Sequence, residues 1–371
     1  MNTGFGLEKA VRDARAATGV PGVAAGLLRD GETVFTADGV LALGREEPVL
    51  AETPFRIASI TKPFTATLCA ASVGIDERLE TLLSHTAGLR PESPEPLPLE
   101  ATGLWSYSNA GYWEAARMCG GPFEAAMTEH VLGPLGLDAT SFAEPARPAR
   151  GHIQEGESGH RAVGADTYPE ERRPSGGLWS TAADLLRFAA HHLDPDGAPA
   201  MLHEPRASAL GARYALGWWV REHAGGGVTL DHEGSIAGYQ SLLLLVPRES
   251  LALAVLTNSW RGSGLVRRVV ESLRLLPRPP AASAGEDDDV AGTYELDGAE
   301  AFVERADDGV VVAEAETDPV TGNRRTLRYP ARAIGDGVYG FAYGTLMSHR
   351  LDFPRPGVAR IGWVAMPRLE Q

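Results

Sequence analysis

The chain of 371 residues is long enough for two domains, and 43% hydrophobic against 22% charged residues is the balance of an ordinary soluble globular protein. A formal net charge of −15, uninterrupted by any basic run, opposes a nucleic-acid backbone or an anionic membrane, so neither is expected as a partner. The only cysteines, Cys69 in TLCAAS and Cys119 in ARMCGG, sit among apolar neighbours and read as buried free thiols rather than a bridge or metal ligands.

Residues 1–22, MNTGFGLEKAVRDARAATGVPG, have the periodicity of an amphipathic helix and lack the basic start, apolar core and cleavage site of an export signal, which predicts a cytoplasmic protein. GVAAGLLRDGETVFTADGV then predicts a hairpin turning at RDGE. From Ser59 to about Leu193 the pattern is helical with Pro/Gly-rich loops, as in GYWEAARMCG, PFEAAMTEHVLGPLGL and STAADLLRFAAHHL. Strands return at YALGWWVRE, YQSLLLLVP and LALAVLTNS, followed by the helix GLVRRVVESLRLL. Pro247, Arg248 and Glu249 divide the most apolar stretch into two pieces too short to span a bilayer. Strands from both ends with helices inserted between them predict an α+β domain over residues 1–276. PRPPAASAGEDDD, residues 277–289, has the composition of an extended linker. Residues 290–371 hold short strand-like runs, GTYEL, GVVVAEAE, TLRYPARAI and RIGWVAM, and predict a small all-β barrel or sandwich.

The chemistry begins with a lysine. Arginine occurs thirty-two times and lysine only at Lys9 and Lys62. An exposed cation can drift to arginine freely, whereas a lysine that must lose its proton cannot, because a guanidinium stays charged. Ser59 lies three residues earlier, and PFTATLCAAS after Lys62 reads as a helix with Pro63 in its first turn, so one helical turn stacks the two side chains. A serine hydroxyl becomes a nucleophile when a neighbour takes its proton, and a desolvated lysine can do so. In WSYSNAGY, Tyr107 can relay a proton and Asn109 can donate to an acyl carbonyl or hold Lys62. In LDHEGSIAGYQ, His232 offers a polar group of adjustable charge and Gly234 admits close backbone approach to a substrate. The Ser235 amide can pair with that of Ser59 as an oxyanion hole.

Taken in order, Ser-x-x-Lys, Tyr-x-Asn and His-x-Gly resemble the three motifs of the serine β-lactamase and penicillin-binding-protein superfamily, in its class C-like branch. LLSHTAGL at residues 82–89 and PSGGLWSTAADLLRFAAHHL at 174–193 are similar to that branch as well. The resemblance covers roughly residues 5–276. It implies an antiparallel sheet flanked by helices with an inserted helical subdomain, although SVGIDERLE is short for the family's connection between the serine helix and LLSHTAGL. It also implies Ser59 as nucleophile, Lys62 as base or base partner, Tyr107 as relay, Asn109 as substrate-orienting donor, and His232 in place of a frequent lysine. The tail after Val290 resembles the lipocalin-like domains appended to some esterases, D-aminopeptidases and peptide-cyclising thioesterases. Because every motif precedes the linker, the tail is expected to shape substrate access.

His85 in LLSHTAGL reads as a structural residue at a helix end and turn. His191 and His192 are adjacent helical residues that point apart, and no spacing implies a metal or cofactor. The expected enzyme is a serine hydrolase or acyltransferase, esterase first, acting on a small ester, amide or peptide. Alternatives are a D-amino-acid peptidase or amidase, a peptide-cyclising thioesterase, a β-lactamase, and a non-catalytic binding module. Glu233 beside the third motif counts modestly against substrates anchored by their own carboxylate.

Overall fold

A computed structural model describes residues 3–100, 103–155, 159–164, 168–223, 226–275, 290–297, 299–306, 309–317, 324–335, 338–341, 350–361 and 363–369. The chain forms two compact units. The first comprises Met1–Ser84, Asn109–Arg206 and Arg213–Pro277; the second comprises His85–Ser108, Ala207–Ala212 and Arg278–Gln371. The expected linker, 277–289, lies outside the described residues.

The first unit opens on α1 (Thr3–Thr18), which buries Leu7, Ala10, Val11 and Ala14 along one face at helical spacing. β1 (Gly22–Arg29) and β2 (Glu32–Gly39) form the predicted hairpin. Arg29 pairs with Glu32, and Asp30 and Gly31 both take positive φ, 51° and 82°, as a two-residue Asp-Gly turn requires. β3 (Phe55–Arg56) leads into α2 (Thr61–Ser72), and α3 (Glu77–Leu83) follows closely, capped by Asp76, whose carboxylate accepts the Leu79 N–H at 2.8 Å. α3 packs on α2 and on α4 (Asn109–Met118), which precedes α5 (Phe123–Met127). β4 (His152–Glu155) pairs with β5 (Gly159–Ala162). α6 (Arg173–Gly176) and β6 (Trp179–Ser180), the partner of β3, lead to α7 (Ala182–Leu193).

After β7 (Ala207–Ala209) come β8 (Ala212–Tyr214), β9 (Trp219–Glu222), β10 (Val228–Ile236), β11 (Tyr239–Val246), β12 (Leu251–Thr257) and α8 (Gly262–Leu273). The sheet of the first unit runs β2-β1-β12-β11-β10-β9-β8, with antiparallel neighbours. β11 and β12 are buried almost end to end, which accounts for their continuous apolar sequence. YALGWWVRE is not one strand but two, β8 and β9. Gly217 between them takes φ +85°, and a Cβ there would lie 3.1 Å from Pro63 Cα, so the chain turns against α2.

The free-thiol reading of the cysteines is corrected. α2 packs on α4, and this brings Cys69 and Cys119, 50 residues apart, together as a disulfide with Cα atoms 5.4 Å apart. Closing a loop of that length is worth about 4 kcal/mol in the chain-entropy account, so Cys119→Ala is expected to cost about 2–4 kcal/mol of unfolding free energy. Urea denaturation checks this, and an unchanged midpoint would show that the bridge contributes nothing.

In the second unit, β13 (Gly292–Leu296), β14 (Ala299–Ala306), β15 (Gly309–Thr317), β16 (Arg324–Gly335), β17 (Val338–Phe341), β18 (Arg350–Arg355), β19 (Val358–Ile361) and β20 (Val364–Pro367) pair antiparallel in chain order. A bridge from Tyr294 to Arg368 joins the first and last edges, so the described strands make a nearly closed up-and-down barrel, as the lipocalin-like resemblance implies. Tyr294, Val303, Val312, Leu351 and Met366 are among its core residues, joined by Leu97 from the segment His85–Ser108. Asp352 and Arg360 form a buried bidentate ion pair at 2.7 Å. No described helix is long and apolar enough to cross a membrane.

Candidate active site

Ser59 sits in a short 3-10 turn, Ala58–Ile60, that feeds α2. The residue before it, Ala58, is buried with φ +47°, a left-handed backbone that a residue with a Cβ adopts only at a cost of about 1 kcal/mol or more. Flanking hydrogen bonds hold the turn. Ile57 N–H donates to Leu178 O at 3.0 Å, Ser241 Oγ donates to Ile57 O at 3.1 Å, and Leu178 N–H donates to Thr61 Oγ1 at 3.2 Å. None of these bonds uses the Ser59 hydroxyl.

Lys62 is 0% exposed. Its Nζ lies 3.2 Å from Ser59 Oγ, 2.7 Å from Asn109 Oδ1 at the start of α4, and 2.8 Å from Ser175 O in α6. These three groups are neutral. An amine has two N–H bonds and one lone pair. The Asn109 and Ser175 oxygens are pure acceptors, Nζ also donates to Ser59 Oγ, and on loss of its proton the freed lone pair would face the Ser59 hydroxyl. The face of Tyr112 lies 5.3 Å from the same nitrogen.

Ser175 and Tyr112 are site residues that motif reading missed. Ser175 acts through its backbone carbonyl, which carries no residue-type signal, and its hydroxyl accepts from Trp113 Nε1 at 2.9 Å. Tyr112 donates to Leu83 O at 2.7 Å, and burial pushes its hydroxyl well above the usual tyrosine range, so it stays protonated.

His232 is 1% exposed in β10. Its Nδ1 donates to Glu233 O at 2.7 Å, so Nε2 is left to accept from the Tyr214 hydroxyl at 3.3 Å. Burial, reinforced by the charge of Lys62 and opposed by the bond to Glu233 O, lowers its pKa to about 3. A Cβ at Gly234 would lie 2.1 Å from Ile57 O, so glycine lets β10 pass against the turn that carries Ser59. Ser235 is exposed and accepts from Gln240 Nε2 at 2.8 Å. Glu233 is buried, and its charge is felt by Arg221, which pairs with Asp231 at 2.6 Å. Tyr107 belongs to the second unit, two residues before Asn109, and is 6% exposed.

Residues 7–80 and 76–274 match the profile of the Beta-lactamase family. The chain belongs to the beta-lactamase family. Among its relatives, Penicillin-binding protein 4 of Amycolatopsis lactamdurans is 28% identical over 360 residues, covering 75% of this chain and 94% of that one. A crystal structure of SurE with D-Leu is 24% identical, with a TM-score of 0.73 over 99% of this chain and 100% of that one. The D-amino acid amidase of Ochrobactrum anthropi SV3, crystallised with L-phenylalanine amide, is 22% identical with a TM-score of 0.62 over 74% of this chain and 99% of that one. The two structural likenesses establish the fold. The superfamily to which this beta-lactamase-family chain belongs is one of serine hydrolases.

Neutral burial of histidine in this beta-lactamase domain has a pH consequence. His203, 2.8 Å from His192, is lowered to about 4, chiefly by burial with the charge of His191 adding to it. A histidine whose folded pKa is depressed stabilises the native state fully above the ordinary value near 6.5, and the contribution fades as pH falls toward the folded value. Melting temperature is therefore expected to drop steadily from pH 7 to pH 4 at constant ionic strength. A flat profile across that interval would contradict neutral burial of His203 and His232.

Proposed function

We propose that this chain is a serine hydrolase or acyltransferase that forms an acyl-enzyme on Ser59 and passes the acyl group to water, an alcohol or an amine, with esters as the first substrate class. The observation that carries the reading is the buried Lys62 nitrogen at 3.2 Å from Ser59 Oγ, held as well by Asn109 Oδ1 and Ser175 O. In this scheme Lys62 accepts the Ser59 proton as Oγ attacks the acyl carbonyl. The Ser59 and Ser235 amides receive the oxyanion, Asn109 orients the substrate as well as Lys62, and Tyr107 relays the proton to the leaving group. Water or an amine then attacks the acyl-enzyme by the reverse relay.

The catalytic domain in this reading is residues 1–276. A neutral His232 and a carboxylate at Glu233 offer no fixed cation at the third motif, which supports neutral or amine-bearing acyl groups over substrates anchored by a free carboxylate. A second reading, in which the acyl group ends in a D-amino acid and the acceptor is an amine, draws support from the whole-length likeness to SurE with D-Leu and from the amidase. That reading covers the D-amino-acid amidase and the peptide-cyclising thioesterase. A non-catalytic module would have no reason to hold Lys62 in this geometry.

The test is a panel of nitrophenyl esters, D- and L-aminoacyl thioesters, D-amino-acid amides and a chromogenic cephalosporin, with and without an added amine. Ester and thioester turnover is expected to exceed cephalosporin turnover. Preference for the cephalosporin would make the protein a β-lactamase, and turnover of none would favour the binding module. A cytoplasmic location belongs to the proposal. A Cys69–Cys119 bridge is uncommon in that compartment, so cell fractionation is the check, and recovery outside the cytosol overturns it.

A further inference from the structure

The segment Leu104–Ser108, which carries Tyr107, is gripped from two directions inside the second unit. On one side is His85. Its backbone is left-handed, φ +60°, and the residue is 2% exposed. Its carbonyl accepts the Ser106 N–H at 3.0 Å and its Nδ1 accepts the Ser108 N–H at 3.1 Å, so one residue brackets Tyr107 through the amides before and after it. The imidazole also lies against the Tyr107 ring, with centroids 4.3 Å apart. On the other side is the end of the barrel. Tyr107 N–H donates to Trp363 O at 2.8 Å, the two rings are 5.1 Å apart, and Ala365 N–H donates to Ser106 Oγ at 3.1 Å.

We propose that His85 is a positioning residue for Tyr107, with Trp363 in the turn between β19 and β20 as the counter-surface. By this arrangement a barrel residue helps to hold Tyr107. A left-handed backbone at a buried histidine is costly and persists where the surroundings demand it. Here the strained turn is what lets both the carbonyl and the ring nitrogen of one residue reach the same extended segment. An Nδ1 that accepts from an amide carries no proton, so the bracket requires the neutral ring with its proton on Nε2. His85 thereby leaves the structural assignment that its place at a helix end suggested. The inference rests on the relay role of Tyr107 given above.

The test is a double-mutant cycle on the full chain, reading the single-turnover acylation rate, kcat and KM with an activated ester. Tyr107→Phe is expected to lower acylation by about a hundredfold, the scale of a lost proton-transfer group. His85→Ala is expected to lower it by about tenfold or more with KM little changed, since a small misplacement of a catalytic group is costly. His85→Asn, which tolerates the left-handed backbone and offers an acceptor oxygen near the Nδ1 position, should recover much of the loss. In the Tyr107→Phe background, His85→Ala should cost almost nothing further, because the hydroxyl it positions is gone. An equal His85→Ala loss in both backgrounds would make the residue merely structural and overturn the proposal. Wild-type acylation by Tyr107→Phe would overturn the relay reading itself and the proposal with it. A wild-type rate for His85→Ala beside an impaired Tyr107→Phe overturns the proposal alone. If His85→Ala does not fold, the cycle is run with His85→Gln, which removes the acceptor from its position and the ring from Tyr107, under the same criteria.

Discussion

Lys62→Arg is expected to abolish acylation of Ser59 nearly as completely as Lys62→Ala, by about a thousandfold, within the usual range for a lost general base. The substitution keeps the positive charge and most of the stem, so a surface or purely electrostatic role would survive it. The site does not allow that escape. Lys62 is wholly buried, and its nitrogen lies within hydrogen-bonding distance of Ser59, Asn109 and Ser175. A guanidinium has five donors and no available lone pair, and its pKa above about 12 leaves no neutral form near pH 7. Stopped-flow acylation with an activated ester gives the rate. An arginine variant within about tenfold of wild type would show that Lys62 is not the base.

Ser59→Ala is expected to remove turnover and covalent labelling together, leaving a rate at the uncatalysed background, while the fold stays intact. The turn that holds Ser59 depends on bonds from Ile57 and Thr61 and on the Gly234 approach, and all of these survive loss of the hydroxyl. Melting temperature is therefore expected to stay close to wild type. A variant that folds and still labels at the wild-type rate would remove Ser59 from the mechanism.

Features set by neighbours in the chain are legible in the sequence itself. The Asp-Gly hairpin turn, the amphipathic α1 and the buried pair β11–β12 follow from spacing over a few residues. Ser59 and Lys62 stand out because one helical turn brings them together. Side-chain chemistry offers Asn109 either an acyl carbonyl or Lys62, and the geometry places its Oδ1 on Lys62.

What the sequence hides depends on contacts distant along the chain or on backbone atoms. The Ser175 carbonyl is invisible to a reading of side-chain types, as is the strained φ of Ala58. The Cys69–Cys119 bridge needs α2 and α4 side by side, which no local pattern encodes. The joining of His85–Ser108 to the C-terminal barrel cannot be read from composition, because the sequence changes character at the linker and not at residue 85. Gly217 reads as an ordinary glycine in a strand until its approach to Pro63 is seen.

An acyl-enzyme at Ser59 is measured most directly by peptide mapping of the trapped intermediate. Full-length protein is mixed with an activated ester or a fluorophosphonate, quenched in acid, digested and analysed by mass spectrometry. A single adduct is expected on the peptide that contains Ser59, absent from the Ser59→Ala protein. Turnover without any adduct on that peptide, or an adduct on another residue that forms at the rate of turnover, would contradict it.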